Sequence, residues 1–517
     1  MARRSAAAVV LAALTLLLGD LAIAAPITTL RTGQLQVSDV QTIIAQAVTQ
    51  AVHDKVEVVV AVTDREGNVL GVFDMTGAPT ASQDDLFGIF APAPTTQQVA
   101  IQKARTAAFL SSDQNAFSTR TALQITGAHF PVGISNAGPG PLFGLPMSSL
   151  PCGDVQKNGS GLTGALGGIP LYMNGAIAGG IGVDGARNPK NVEKKGDDEV
   201  IALAGTRHGY GAPSGITANN LLVNGIRFDW IGSRLPNALT AMPFGSLPGS
   251  EDGSYPITAG SPPPTETMED GVPGEWRVSP VDSTVSSLTA ADVTRMVDQS
   301  LEQEKITRAA IRLPVGIPAR MQVGVTDTGG NVLGLFRTND ATMFSMDIVI
   351  QKGRTVTSFS NPSDPSGLGK KLRDDLHISE SAPLAVTSRT IEFLAQPFYP
   401  PGITGTSPGP LFCDEFSMAH KGLPYCLQQQ LYAMQMTSPC LPNGDGVTLF
   451  PGSTPLYKSG VLVGGLGISG DGVDQDDFVT NSGAAGFLPS DAIRATHIEF
   501  RGAFLPYFKY PRHPDLD

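Results

Sequence analysis

Cysteine is scarce in this chain, four residues among 517, and none lies in a Cys-x-x-Cys-His pattern, which excludes a covalently tethered c-type cofactor. The separations of Cys413, Cys426 and Cys440 are too wide for a zinc knuckle. Lysine and arginine number 35 against 47 acidic residues, a formal charge of −12. Without a cluster of cations to displace counterions, nucleic acid is not an expected partner, and the acidity argues for solubility only. Gly-x-Ser-x-Gly, His-Glu-x-x-His and EF-hand loops are all missing, so no catalytic residue is assigned. Beyond the first residues no apolar run is long enough to span a bilayer, so the mature chain is expected to carry no membrane span.

What is present begins with a leader. Arg3 and Arg4 start it, an apolar stretch follows over 6–18, and Ala22-Ile23-Ala24 supplies an A-x-A cleavage site. Gly19-Asp20 interrupts the apolar run, so residues 1–24 read as a signal peptide, and the expected location is periplasmic or secreted. Losing Arg3, Arg4 and Asp20 would leave the mature chain one unit more negative. An exported chain meets an oxidising compartment, where the four cysteines favour disulfides. The remaining length exceeds what one compact core usually holds and calls for two or three domains.

The chain is a duplication. Val62-Thr-Asp-Arg-Glu-Gly-Asn-Val-Leu-Gly-Val-Phe73 returns as Val325-Thr-Asp-Thr-Gly-Gly-Asn-Val-Leu-Gly-Leu-Phe336, and Ile101-Gln-Lys-Ala-Arg-Thr106 as Ile350-Gln-Lys-Gly-Arg-Thr355. Pro139-Gly-Pro-Leu-Phe143 matches Pro408-Gly-Pro-Leu-Phe412, with Arg120 and Arg389 aligned upstream. Pro170-Leu-Tyr172 with Gly179-Gly-Ile-Gly182 matches Pro455-Leu-Tyr457 with Gly464-Gly-Leu-Gly467. Four blocks in one order define repeats at 35–230 and 288–510.

Each repeat opens on an amphipathic helix: Val40, Ile43, Ile44, Ala47, Val48 and Ala51 behind a Ser38/Gln41 capping box, and Val293, Met296, Val297, Ser300 and Leu301 behind Thr289/Asp292. A β-rich run and an Asp-x-x-Gly-Asn turn follow, with Asp64 and Asp327 as turn residues. Helices are expected over 98–111 and 347–358, a last hairpin turning at Asn174-Gly175 or Ser459-Gly460, and a final helix near 197–204 or 476–482. Helix, strands, helix, strands, helix is an α+β layout around one antiparallel sheet. Residues 231–287, rich in Pro, Gly, Ser and Thr, read as an extended or disordered linker, with packing along a domain surface left open.

The ordered blocks resemble the GlcG/HbpS family of haem-binding-like proteins. Val62-x-Asp64-x-x-Gly67-x-Val69, Lys103-Ala-Arg-Thr-Ala107, Gly167-Gly-Ile-Pro-Leu171 and Gly182-Val-Asp-Gly185 carry the resemblance in the first repeat. Val325-x-Asp327, Lys352-Gly-Arg-Thr355, Pro455-Leu456, Gly467-Ile-Ser-Gly470 and Gln475-Asp476 carry it in the second. It implies two copies of a five-stranded antiparallel sheet flanked by helices, a profilin-like layout. It also implies symmetric homo-oligomers and, in some members, a non-covalent haem or related tetrapyrrole.

A haem needs ligands, and histidine is the commonest. His53, His129 and His208 align with Ile306, Phe398 and Gly486, and His377, His420, His497 and His513 have no histidine opposite. No histidine is shared by the repeats, so the metal ligand is unassigned. The shared polar residues are Lys103/Lys352, Arg105/Arg354, Thr106/Thr355 and Arg120/Arg389. As a ligand-binding set they would receive carboxylates such as haem propionates; the alternative is salt bridges and caps inside each domain. Lys103 and Arg105 are two apart on a helix and face different ways.

The glycine runs satisfy no nucleotide motif, and strand glycines more often admit a close neighbour. Asp471, Asp474, Asp476 and Asp477 suit either calcium or, as Asp197-Asp-Glu199 at the matching place favours, a helix N-terminus. Cys413 with Cys426 is the expected local disulfide and Cys152 with Cys440 the expected bridge between repeats, because the latter two occupy equivalent places. The resulting expectation is an exported binding protein for haem or another small carboxylated ligand. A structural protein that has kept the fold and lost the pocket is the alternative, and an enzyme on a small metabolite the third.

Overall fold

The computed structural model describes residues 33–84, 94–127, 129–131, 133–134, 137–145, 155, 162–186, 197–412 and 446–509. The signal peptide, all four cysteines, His420 and His513 lie outside the described residues.

The apolar stripe of the opening helix α1 (Val37–Asp54) is fully buried at Val40, Ile43, Ile44, Ala47 and Val48. Its cap differs from the expected Ser38/Gln41 pair. Gln36 is the N-cap, and its backbone N–H donates to Asp39 Oδ2 at 2.7 Å. Strands β1 (Val59–Asp64) and β2 (Val69–Met75) pair antiparallel through the Asp64 turn, where Asp64 Oδ1 accepts from the Asn68 N–H at 2.9 Å. Helix α2 (Thr96–Phe109), helix α3 (Thr119–Thr126), the hairpin β3 (Gly168–Met173) and β4 (Ala176–Asp184), and helix α4 (Asp197–Gly205) complete the core of the repeat. The β3–β4 turn is set by Asn174 and Gly175, with φ of 51° and 82°, as a tight hairpin with two left-handed residues requires.

The second repeat follows the same order with one helix added, α7: α5 (Ala290–Ile306), β10 (Gln322–Asp327), β11 (Val332–Thr338), α6 (Ser345–Ser360), α7 (Leu368–Asp375), α8 (Ser388–Leu394), β12 (Ser453–Lys458), β13 (Val461–Ser469) and α9 (Val473–Gly483). Its opening helix has the expected Thr289/Asp292 capping box. Alternating residues of β1 split the first repeat into layers. Val60 and Val62 face α1, whereas Val59 and Ala61 pack with Ala100 and Ile101 of α2.

The glycine runs explain how closely the second layer approaches. A Cβ on Gly182 would sit 1.9 Å from Ala100 O, and one on Gly467 1.9 Å from Val349 O. Any larger residue would push α2 or α6 off its sheet.

The Pro/Gly-rich stretch expected as a linker instead supplies strands to both sheets. Strand β7 (Gly249–Glu251) pairs with β2 to give the order β3-β4-β1-β2-β7. Strands β8 (Thr267–Glu269) and β9 (Val272–Val278) extend the other sheet to β12-β13-β10-β11-β9-β8. The first sheet therefore has five strands, and the second has five plus a sixth at its edge. Strands β7 and β8 are edges and need partners on one side only, so no apolar periodicity has to mark them, whereas β9 pairs with both β11 and β8.

A fifth shared block closes each repeat. Hairpins β5 (Leu222–Val223) with β6 (Ile226–Arg227), and β14 (Glu499–Phe500) with β15 (Ala503–Phe504), each follow two short 3-10 turns. The repeats meet across an apolar core that includes Phe109, Leu110 and Phe117 from the first and Leu335, Met343, Phe344 and Ile350 from the second. The shared Pro-Gly-Pro-Leu-Phe blocks touch in a second apolar cluster, with Phe143 and Phe412 stacked at 5.8 Å between centroids.

Candidate functional site

The recurring cations converge on carboxylates of their own repeats. Lys103 leaves the middle of α2, lies wholly buried, and donates to Asp84 Oδ2 at 2.8 Å, Asp184 Oδ1 at 2.8 Å and Asp198 Oδ2 at 3.1 Å. Its fourth partner is Val183 O at 2.9 Å. Burial opposes the charge on Lys103, but Asp198, Asp184 and Asp84 outweigh it and raise the ammonium above its ordinary value. Burial, reinforced by Asp184 and Asp84, pushes Asp198 up to about 7 against the pull of Lys103. The three aspartates offer oxygens within 4.8 Å of one another, a spacing a divalent cation would suit. The ammonium bonds all three, which makes the cluster an internal ion-pair cage.

Lys352, its counterpart, is equally buried but meets one carboxylate, Asp476 Oδ2 at 2.8 Å, with Ile468 O at 2.6 Å and the Phe450 ring 5.1 Å from Nζ. Burial lowers its pKa, and Asp476 resists the change. Ser469 stands where the first repeat has Asp184: β10 pairs Gln322 with Ser469, as β1 pairs Val59 with Asp184.

The neighbouring carboxylate of the last helix takes the second shared cation. Arg120 Nε and Nη2 both donate to Glu199 at 2.9 Å, and Arg389 Nε donates to Asp477 Oδ2 at 2.7 Å. Each carboxylate also accepts a backbone N–H from the chain leaving the repeat, Gly232 to Glu199 at 2.8 Å and Lys509 to Asp477 at 3.1 Å. These pairs pin the closing segment of each repeat. The same segment is held at the helix caps, where Ser118 and Thr387 donate to Trp230 O and Tyr507 O.

Arg105 and Arg354 project the other way, as their spacing from Lys103 and Lys352 predicts, and their Nε groups donate to Gly67 O at 2.8 Å and Gly330 O at 2.9 Å in the β-turns. Thr106 and Thr355 accept the N–H groups of Thr163 and Thr448 at 2.9 and 3.1 Å. The eight shared residues thus form three separate contacts per repeat: lysine cage, arginine pin and turn clamp, with the threonine beside them. The acidic run of the second repeat lies at a helix N-terminus as expected, with Asp474 and Asp476 in the first turn of α9, and it also pairs with the cations of its repeat. The N-cap of α9 is Gly472 with no side-chain cap. Asp476 and Asp477 serve Lys352 and Arg389, Asp474 serves Arg389 and Lys509, and Asp471 pairs with Arg312.

Arg312 belongs to a feature that internal alignment did not bring out, the longer connection 307–321 of the second repeat. Fully buried, it bridges Asp471 and Asp340 Oδ2, the latter at 2.6 Å, and Asp340 reaches the first repeat through Arg65 at 2.7 Å. Leu313 N–H donates to Gln114 O at 3.0 Å. Beneath this connection lies Glu304, also buried, which burial pushes up to about 8 against the pull of Arg320. Above it opens a surface depression of about 330 Å³ lined by Ile306, Arg308, Ala309 and Phe478 among others. None of the described histidines lines it. His53, His208, His377 and His497 are exposed, and half-buried His129 bonds Ala137 O at 2.9 Å.

Paired α+β domains around equivalent lysine cages define a tandem small-domain protein. Residues 301–485, within the second repeat, match a family described as haem degrading protein HbpS-like. Solved structures similar to the chain include a PduOC:haem complex, at 18% identity over 39% of this chain and 94% of that one, TM-score 0.22. Klebsiella pneumoniae protein ORFY is similar at 20% identity over 35% and 92%, TM-score 0.22, and HbpS at 23% over 34% and 92%, TM-score 0.21. A search among curated proteins finds no match. No helix among the described residues is long and apolar enough to cross a membrane.

Proposed function

We propose that this is an exported small-ligand-binding protein whose second repeat takes haem or a related tetrapyrrole without covalent attachment. The observation that carries the reading is the match of residues 301–485 to a family named for haem. The leader over 1–24 supports export. The residues present do not offer a histidine-ligated pocket among the described residues, because the five described histidines stand away from the depression of the second repeat. Nor are the shared lysines and arginines positioned for propionates, since each already bonds within its own repeat.

One observation favours a second reading, a structural or interaction protein: the polar residues common to both repeats serve internal contacts. Titration of the full mature chain with haem, followed at the Soret band, separates the two. A saturable shift at low micromolar haem supports the binding protein. A titration like that of an unrelated acidic protein removes the haem reading and leaves the structural one.

A further inference from the structure

The two repeats differ in how the opening helix hands over to the sheet. In the first, Lys55 ends α1 in a left-handed conformation (φ 58°) and β1 begins at Val59. In the second, residues 307–321 separate α5 from β10. This connection folds back on itself: Ala309 N–H donates to Ile317 O at 2.9 Å and Ala319 N–H to Thr307 O at 2.8 Å. Its base is fastened by the Ala310 N–H to Asp471 O bond at 2.8 Å and by buried Arg312.

The depression lies between this connection, the end of α5 and the start of α9. Its walls are fixed without any ligand. Gln303 Nε2 donates to Thr307 Oγ1 at 3.1 Å, and Ser482 donates to Gln303 Oε1 at 3.0 Å. Flanking Phe478, Asp476 and Asp477 are held by Lys352 and Arg389. Preformed walls lower the ordering cost of binding.

We infer that this depression binds a small amphipathic carboxylate, with the apolar body against Ile306, Ala309 and Phe478 and the carboxylate on Arg308. Ile306 is 62% exposed at the rim, an apolar side chain in water next to an open cavity. Arg308 lines the same cavity and has no ion-pair partner among the described residues. Its neighbours Arg312 and Arg320 both face carboxylates. A guanidinium is the side chain best shaped to take a carboxylate through two parallel hydrogen bonds. The volume of about 330 Å³ lies at the lower end of small-molecule sites, which run from roughly 300 Å³ upward. A single-ring or fused two-ring acid suits it. The inference does not depend on haem, because none of the described histidines lines the cavity to meet an iron.

The test uses the full mature chain and two probes of one shape, 2-naphthoate and the neutral 2-naphthylmethanol, titrated by ligand-observed NMR. Saturable naphthoate binding, at least about tenfold tighter than that of the alcohol, is the expected result. Arg308→Gln should lower naphthoate affinity to that of the alcohol, and Phe478→Ala should weaken both probes. Far-UV circular dichroism melts verify that each variant is folded. Arg308 is exposed, so its replacement leaves the fold intact. Failure of naphthoate to saturate, equal affinity for acid and alcohol, or undiminished binding by Arg308→Gln would each overturn the assignment.

Discussion

At the scale of single residues, the two buried lysines are compensated to different degrees. Lys103 compensates three carboxylates and Lys352 one. Removing a partner from a buried ion pair strands the remaining charge, which costs about 3–5 kcal/mol. Lys103→Met is expected to destabilise by that order and Lys352→Met by less, measured by urea unfolding at pH 7. Equal losses would contradict the asymmetry of the two cages.

Glu304 gives a pH-dependent prediction. Its folded value, about 8, lies above its ordinary value because burial disfavours the charged form. In the unfolded chain it ionises at its ordinary, lower value. Between the two, unfolding releases a proton, so stability is full below the ordinary glutamate range and is lost as pH rises to about 8. One such group contributes a slope of roughly 1.4 kcal/mol per pH unit across that window. Glu304→Gln should flatten the decline by about that slope, read from urea unfolding between pH 5.5 and 8.5. An unchanged slope would show that Glu304 ionises as an exposed carboxyl does. Asp198 and Asp476, both pushed up to about 7 by burial, add declines of the same sign at lower pH.

At the scale of elements, caps and connections decide how each repeat is closed. Ser118 and Thr387 cap α3 and α8 by accepting from the N–H groups of Thr121 and Thr390. The same hydroxyls bond the returning chain. Thr387→Ala removes both contacts and is expected to cost about 1–2 kcal/mol, at the upper end for a cap. A loss of a few tenths would mean that the remaining contacts, among them the Thr390 hydroxyl on Pro506 O and the Asp477 carboxylate on the Lys509 N–H, hold the returning chain without it. The connection 307–321 has the opposite role of reaching outward. Arg312→Met should remove the buried cation that links Asp340 with Asp471 and raise protease cleavage within 307–321, compared with the parent by limited proteolysis. These elements were only partly legible in sequence. The amphipathic stripes of α1 and α5 were evident, but α7 and α8 were not, because short helices with few apolar residues give a weak periodic signal.

At the scale of the whole molecule, the repeats form one interior across their contact. Phe109 O accepts from the Phe344 N–H at 3.2 Å, and both rings sit in the shared core. The second repeat expressed from residue 262 onward, keeping β8 and β9, would expose Met343, Phe344 and Ile350. Apolar surface of that kind associates in water, so the fragment should sediment as a concentration-dependent oligomer while the full chain does not show this transition. A monodisperse monomeric fragment would mean that the shared core adds little.

The sequence by itself determined the duplication, the block order, the α+β class and the turns, because these rest on spacing along the chain: Asn174-Gly175 dictates its hairpin wherever the rest lies. That the strand glycines admit a close neighbour was equally readable; that this neighbour is α2 on β4 was decided in three dimensions. Tertiary structure alone decided which carboxylates meet Lys103, Arg120 and Arg312, because those partners come from distant strands and helices. It also decided that the Pro-rich stretch forms sheet edges and that residues 307–321 create a cavity. Pairing of a charge depends on distance in space, and no local pattern encodes it.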